Sequence, residues 1–253
     1  MMSKKIISIL ALVALIAVSS FGLGPSIAPS QAKANKSDSL VVVELFTSQG
    51  CPACAMSNAV MSDLSKDDAL LTLTWNVDYW DYMGWQDTFA TKENTKRQED
   101  YNKGMGKRGV YTPEIIINGE RHIIGADANK VYENILEEKQ KVRFGLDVSL
   151  DETQEKISLS VGEGKAPKGT IIRLVWYSGE ETIKVGMGRN KGKDLKFTNV
   201  VFGSKIIGDW DGDPKSLSID LAEIRASGAD CIAVLVQNGD PGPILGAAKL
   251  VLS

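Results

Sequence analysis

Histidine is all but missing from this 253-residue chain, with His122 standing alone. A lone imidazole gives no support to a Ser-His-Asp triad. A structural zinc site takes four Cys or His ligands and would find only His122 and three cysteines, one of them the distant Cys231. Cysteine is scarce as well. A disulfide-stapled secreted domain shows several spaced pairs, which three cysteines do not supply. None precedes Cys51, so a lipid-anchored lipoprotein is excluded. No segment beyond the N-terminus is apolar enough to span a membrane. The acidic run Asp209, Asp211, Asp213 lacks what a calcium loop needs: Pro214 stands where an EF-hand requires Gly, and no helical pattern flanks it.

What is present begins with an export signal over residues 1–34. Lys4 and Lys5 precede an apolar run from Ile6 to Val18, and Ala32-Lys33-Ala34 offers a small-x-small cleavage site. Extended to Leu23, the run is just long enough for an uncleaved anchor, so cleavage and anchoring are the two readings. Periplasmic or secreted localisation follows, with no membrane insertion once the signal is cleaved. Removing residues 1–34 deletes three lysines and no acids, leaving 26 basic against 32 acidic residues, a net charge of −6. That balance argues against nucleic acid as a partner.

Residues 35–39 read as a linker, and 40–142 as a domain of alternating strands and helices. Leu40–Phe46 is a continuous apolar run suited to a strand buried on both faces. A helix is predicted from Pro52 to about Lys66, a strand over 70–75, and a helical insert at about 79–109. The insert holds a polar helix over 88–103 with Asp87 as its N-cap. Glu114–Ile117, Asn118-Gly119 and Arg121–Ile124 predict a hairpin with a type I′ turn, and a last helix runs from Ala126 to about Val142. Residues 143–253 change style. Short alternating segments at 144–150, 156–161, 170–177, 182–186, 199–207, 217–221, 230–237 and 245–252 predict a β-sandwich-like domain.

Cys51-Pro52-Ala53-Cys54 falls where the first strand gives way to the first helix. A thiol in the first turn of a helix faces unpaired N–H groups and the positive end of the dipole, both of which favour thiolate. A second thiol one turn on can close a disulfide. A bridge over so short a loop removes little unfolded-state entropy and makes a poor staple. The pair therefore points to dithiol–disulfide redox chemistry.

A strand ending at Phe46, Cys-x-x-Cys opening a helix, and Thr112-Pro113 before a hairpin and a last helix together resemble the thioredoxin fold. In that family a cis-proline faces the cysteines, and Pro113 matches its position. A cis bond there would expose the Thr112 backbone to an extended substrate strand. Glu44 falls where such proteins often keep a buried acid; it would take a proton from Cys54, or else face solvent or cap a neighbouring group. Thioredoxins usually carry Trp before the first Cys, where this chain has Gly50 after a loop one residue longer. Pro52-Ala53 contains no His or Lys, which predicts a moderately lowered thiol pKa resting on the helix terminus.

The chain more closely resembles domain-of-unknown-function family 1223, exported thioredoxin-like proteins of bacteria. The resemblance lies in Val43–Cys51, Tyr79–Trp85, Val110–Pro113, Gly188–Lys193, Asn199–Val201 and Gly242–Ala247. It implies fold and export but no substrate. The reading is an exported thiol–disulfide oxidoreductase with Cys51 and Cys54 catalytic and Thr112 and Pro113 binding substrate. It needs no cofactor, and it acts on thiol- or disulfide-bearing proteins or small thiols with an unidentified redox partner. The alternative is a copper-handling or partner-binding module, with His122 joining the cysteines as a Cu(I) ligand.

Three features have quieter readings. The aromatics Tyr79, Trp80, Tyr82, Trp85 and Phe89 wall the thiol face or pack under the insert and the second domain. Cys231 lies in a strand pattern where a free Cys packs as a small hydrophobe. Arg189, Lys191, Lys193 and Lys196 form a basic Gly-rich turn without the following helix of a phosphate loop, hence a solvated hairpin or an interdomain contact.

Overall fold

The computed structural model describes residues 40–141, 148–153 and 155–253. The expected signal, linker and domain boundary at 142–143 lie outside them. No helix among the described residues is long and apolar enough to cross a membrane.

The first stretch contains β1 (Val41–Thr47), α1 (Cys54–Leu64), β2 (Leu70–Asn76), α2 (Lys92–Gly104), β3 (Glu114–Ile117), β4 (Arg121–Ile124) and α3 (Ala128–Gln140). β1 and β2 are buried along their whole length and pair in parallel across the α1 crossover. β3 runs antiparallel to β1 and turns into β4 at Asn118 and Gly119, whose φ values of 51° and 70° give the type I′ geometry that Asn-Gly favours. Side chains alternate along β1. Val41, Val43 and Leu45 meet Met61, Leu64, Val131 and Ile135 from α1 and α3. Val42 and Phe46 meet Trp75 and Tyr101 on the α2 side.

The second stretch contains β5 (Val148–Glu152), β6 (Lys156–Val161), β7 (Thr170–Lys184), β8 (Asp194–Asp209), β9 (Lys215–Asp220), α4 (Ala222–Ala226), β10 (Cys231–Asn238) and β11 (Ile244–Val251). Segments 170–177 and 182–186, expected as separate strands, form one strand of 15 residues. Its partner β8 matches it from Ile171 to Lys184 with two register shifts, so the polar outer part stays paired after it leaves the core.

Strands from both stretches build one eight-stranded mixed sheet, ordered β11-β10-β7-β8-β2-β1-β3-β4. The seam is Thr74 opposite Val200, reinforced by Thr74 Oγ1 donating to the Thr198 carbonyl at 2.7 Å and Lys249 Nζ to the Leu70 carbonyl at 2.8 Å. The stretches expected as consecutive domains thus share a sheet. The sandwich-like part is a three-stranded sheet, β5-β6-β9. Its Ile157, Leu159 and Ile219 pack with Leu174, Trp176 and Val234 of β7 and β10.

Candidate functional site

Cys51 and Cys54 form a disulfide with Cα atoms 5.5 Å apart. Helix α1 starts at Cys54 rather than near Cys51. The Cys51 N–H donates back to the Ser48 carbonyl at 3.1 Å and the Cys54 N–H to the Cys51 carbonyl at 3.5 Å. Cys51 therefore sits in a turn ahead of the helix, and Cys54 is the residue that occupies the first helical turn. That turn has no side-chain cap and no acidic residue, so nothing offsets the positive end of the helix beside the sulfurs. Both cysteines are nearly closed off, at 2% and 1% exposure.

The loop before Cys51 is fixed by buried hydrogen bonds. Asp87 accepts from the Gln49 N–H at 2.6 Å and from Asn76 Nδ2 at 2.9 Å. Burial pushes its carboxyl above the ordinary range despite these donors. Asp87 is not the N-cap of α2, as expected from sequence. Thr91 Oγ1 takes that role, accepting from the Asn94 N–H at 3.1 Å, because Asp87 is drawn inward by Gln49 and Asn76. Trp85 Nε1 donates to Gln49 Oε1 at 2.8 Å. Gly50 is closely covered: a Cβ there would lie 3.0 Å from Trp80 Cβ, so Trp80 would have to give way by a few tenths of an ångström.

Trp80 also reaches the second half of the site. Its Nε1 donates to Thr112 Oγ1 at 2.7 Å, and the Thr112–Pro113 peptide is cis. Trp80 thus meets the cysteine loop through its Cβ and the cis-proline loop through its indole. The main-chain N–H and carbonyl of Thr112 have no hydrogen-bond partner among the described residues. Behind Pro113, a Cβ on Gly125 would lie 3.0 Å from Ser57 Oγ of α1 and 3.1 Å from Pro113 Cβ, so helix, proline and the end of β4 meet closely. A hollow beside them is lined by Met56, Ile124, Ala126 and Asp127–Asn129, with Met56 and Ile124 both exposed.

The expected proton acceptor is not brought to the thiols. Glu44 alternates with Val43 and Leu45 and so projects to the α2 face, where Arg97 Nη2 lies 2.8 Å from Oε1 and Tyr101 Oη donates to Oε2 at 2.5 Å. Nor does His122 join the cysteines. It lies opposite Ile116, with Nδ1 3.2 Å from Tyr111 Oη and 3.6 Å from Glu114 Oε1. No group of three or more His, Cys, Asp or Glu side chains among the described residues is placed to hold a metal ion. Cys231 is a buried free thiol pushed up to about 12 by burial and by Asp230.

Comparison with known proteins adds a family. The model of the family described as protein of unknown function, DUF1223, matches residues 42–237. The chain belongs to this family. It also resembles the X-ray crystal structure of a protein from Agrobacterium tumefaciens, with 31% identity and a TM-score of 0.74 over 85% of this chain and 96% of that one. Among curated proteins none matches.

The DUF1223 chain places one more residue at the site, from its second stretch. Asn190, 4% exposed, lies in the loop joining β7 to β8. Its Nδ2 donates to the Gln49 carbonyl at 2.9 Å and the Cys51 carbonyl at 3.0 Å. Gly186 and Gly188 of the same loop press against Trp85, where a Cβ on Gly186 would come within 2.8 Å of the ring. The basic Gly-rich turn is therefore packed on the cysteine loop. In sequence Asn190 shows only as an Asn between glycines within the Gly188–Lys193 motif of the family resemblance, and no local pattern marks it as buried. The aromatics divide: Phe89 packs on Phe197 and Phe202, whereas Tyr82 is 80% exposed.

Proposed function

We propose that this DUF1223 member is an exported thiol–disulfide oxidoreductase whose 40–142 stretch is a thioredoxin-like domain. The observation that carries the reading is Trp80, which packs on Gly50, the residue before the Cys51–Cys54 disulfide, and donates to the Thr112 hydroxyl of the cis Thr112–Pro113 peptide. The unpaired Thr112 backbone supplies a donor and an acceptor for an extended client segment. The exposed Met56 and Ile124 beside it suit an apolar client side chain. Where the resemblance expects Trp before the first cysteine, Trp80 covers Gly50 from elsewhere in the chain.

In the reducing direction the Cys51 thiolate attacks one sulfur of a client disulfide. A Cys51–client bond forms and the other client sulfur leaves as thiolate. The Cys54 thiolate then attacks Cys51 sulfur, the mixed disulfide breaks, and the second client thiolate departs. Two electrons pass from the dithiol to the client, and both client sulfurs end protonated. The oxidising direction is the reverse. The uncapped end of α1 favours thiolate at Cys54 in both directions.

A Cys54→Ala variant removes the resolving thiol and should accumulate mixed disulfides on Cys51 in its native compartment. Absence of such adducts, with stoichiometric Cu(I) held by the reduced protein and no exchange with glutathione, would overturn the proposal.

A further inference from the structure

We infer that the β7–β8 loop is a docking surface for acidic polypeptides, so that preferred clients carry carboxylates beside the cysteine that exchanges. This rests on the redox reading above and names the partner that the same site takes. The segment 184–196 carries Lys184, Arg189, Lys191, Lys193 and Lys196 against a single acid, Asp194, in a chain whose net charge is −3. It is not a remote patch. Asn190 fastens it to the carbonyls of Gln49 and Cys51, which seats the turn of Arg189 and Lys191 against the cysteine loop, while Lys196 lines a hollow along α1 with Asp63, Lys66 and Asp194.

Most of this charge is uncommitted. Lys193 Nζ donates to Asn190 Oδ1 at 2.9 Å. Arg189, Lys191 and Lys196 are exposed, and none pairs with a carboxylate among the described residues. The acids of the adjoining segment do not neutralise them, because each is turned to an internal donor. Asp78 accepts from Thr95 Oγ1, Asp81 from the Asp87 N–H, and Asp87 from the Gln49 N–H. Two large apolar side chains stand exposed within the same region: Met187 at 58% on the loop and Tyr82 at 80% on the segment facing it. A Cβ on Gly188 would lie 3.4 Å from the Met83 carbonyl, which brings the two segments together. Aromatic, Met and Arg side chains ringed by charge are the composition of a protein interface. A rim of one charge sign raises the encounter rate of an oppositely charged partner.

The test uses reduced protein and three disulfide-linked dimers of one fluorescent peptide, its cysteine flanked by glutamates, serines or lysines. Each rate of reduction is divided by that dimer's rate with dithiothreitol, which cancels its intrinsic reactivity. At low salt the glutamate dimer should react on the order of tenfold faster than the lysine dimer, with the serine dimer between them. That ratio should shrink toward one at about 1 M salt, where charges are screened within a few ångströms. It should fall near one in the triple variant Arg189→Gln, Lys191→Gln, Lys196→Gln. Equal rates for the glutamate and lysine dimers, or a preference that survives in the triple variant, would overturn the inference. Failure to reduce any dimer, the serine one included, would instead overturn the redox reading beneath it.

Discussion

Replacing Arg97 by Met tests how helix α2 is held to the sheet. The Arg97 and Glu44 side chains are 5% and 0% exposed. Arg97 Nε donates to Glu44 Oε1 at 2.9 Å, and Nη2 donates to Tyr101 Oη at 3.0 Å. The guanidinium also lies 4.8 Å from the Trp75 ring centroid. Burial opposes its charge, but Glu44 prevails and raises its pKa. Met preserves much of the volume and the contact with Trp75, yet leaves the Glu44 carboxylate with Tyr101 as its remaining donor. Removing one partner of a buried ion pair costs about 3–5 kcal/mol. With a urea slope near the upper end of about 1–3 kcal/mol per molar, the midpoint of unfolding should drop by about 1–2 M. Adding Glu44→Gln to Arg97→Met removes the stranded charge and should return about 1–3 kcal/mol. A loss under about 1 kcal/mol for Arg97→Met, or strict additivity in the double variant, would refute the ion pair as the tether.

Asn190→Ala strips the donor from two buried carbonyls and should cost about 2–4 kcal/mol. Thermal melting should fall by about 4–16 °C, and Asn190→Asp, which cannot donate there, should do no better. Glu44→Gln should leave the pH profile of dithiol alkylation unchanged, since Glu44 faces α2; a profile displaced by about one unit would restore Glu44 as the proton acceptor of Cys54. Gly119→Ala drives a Cβ to 2.0 Å from the Gly242 carbonyl at a φ of +70° and should destabilise by more than about 2 kcal/mol in urea melts. Cys231 should resist iodoacetamide in the native state at pH 8 while the reduced Cys51–Cys54 pair reacts, as mass spectrometry would report. Its thiol rises from an ordinary 9.0 to about 12 on folding, so the folded chain keeps a proton that the unfolded chain releases. Its contribution is whole below pH 9 and is lost as pH rises from there; Cys231→Ala should flatten that alkaline loss.

Local chemistry made some of this readable from sequence. The buried run before Phe46, the Asn118-Gly119 turn and the cysteine pair at a strand–helix junction each rest on neighbouring residues, and each lies where expected. Helix α2 was harder to place. Its inward face is Asn94, Arg97, Gln98, Tyr101 and Asn102, so it docks through hydrogen bonds and an ion pair, and periodicity of apolar residues locates no core face in it. Asp87 before it looks like a cap because Asp is a good one; only the folded positions of Gln49 and Asn76 show why it turns inward. Period two likewise tells that Glu44 shares a face with Val42 and Phe46, but not which face meets α2.

The way the cysteine loop is satisfied bears on where a client can pair. The Gln49 N–H is taken by Asp87, the Gln49 and Cys51 carbonyls by Asn190, and the Cys51 N–H by Ser48. Buried backbone groups rarely go unpaired, and here the partners come from the insert and from the second stretch, so the loop has little left to offer an incoming strand. Thr112 is the opposite case, partly exposed with both main-chain groups unpaired among the described residues. A client segment that pairs near the disulfide would therefore do so along the cis-proline loop, under Trp80, whose indole already occupies the Thr112 hydroxyl. On the proposed reading, strand pairing and approach to the sulfurs would then be controlled by different parts of the chain. The first would fall to Thr112, since the Tyr111 carbonyl accepts from Gln98, the Pro113 carbonyl from the Gly125 N–H, and Glu114 is paired as part of β3, and the second to the 79–89 segment and the β7–β8 loop.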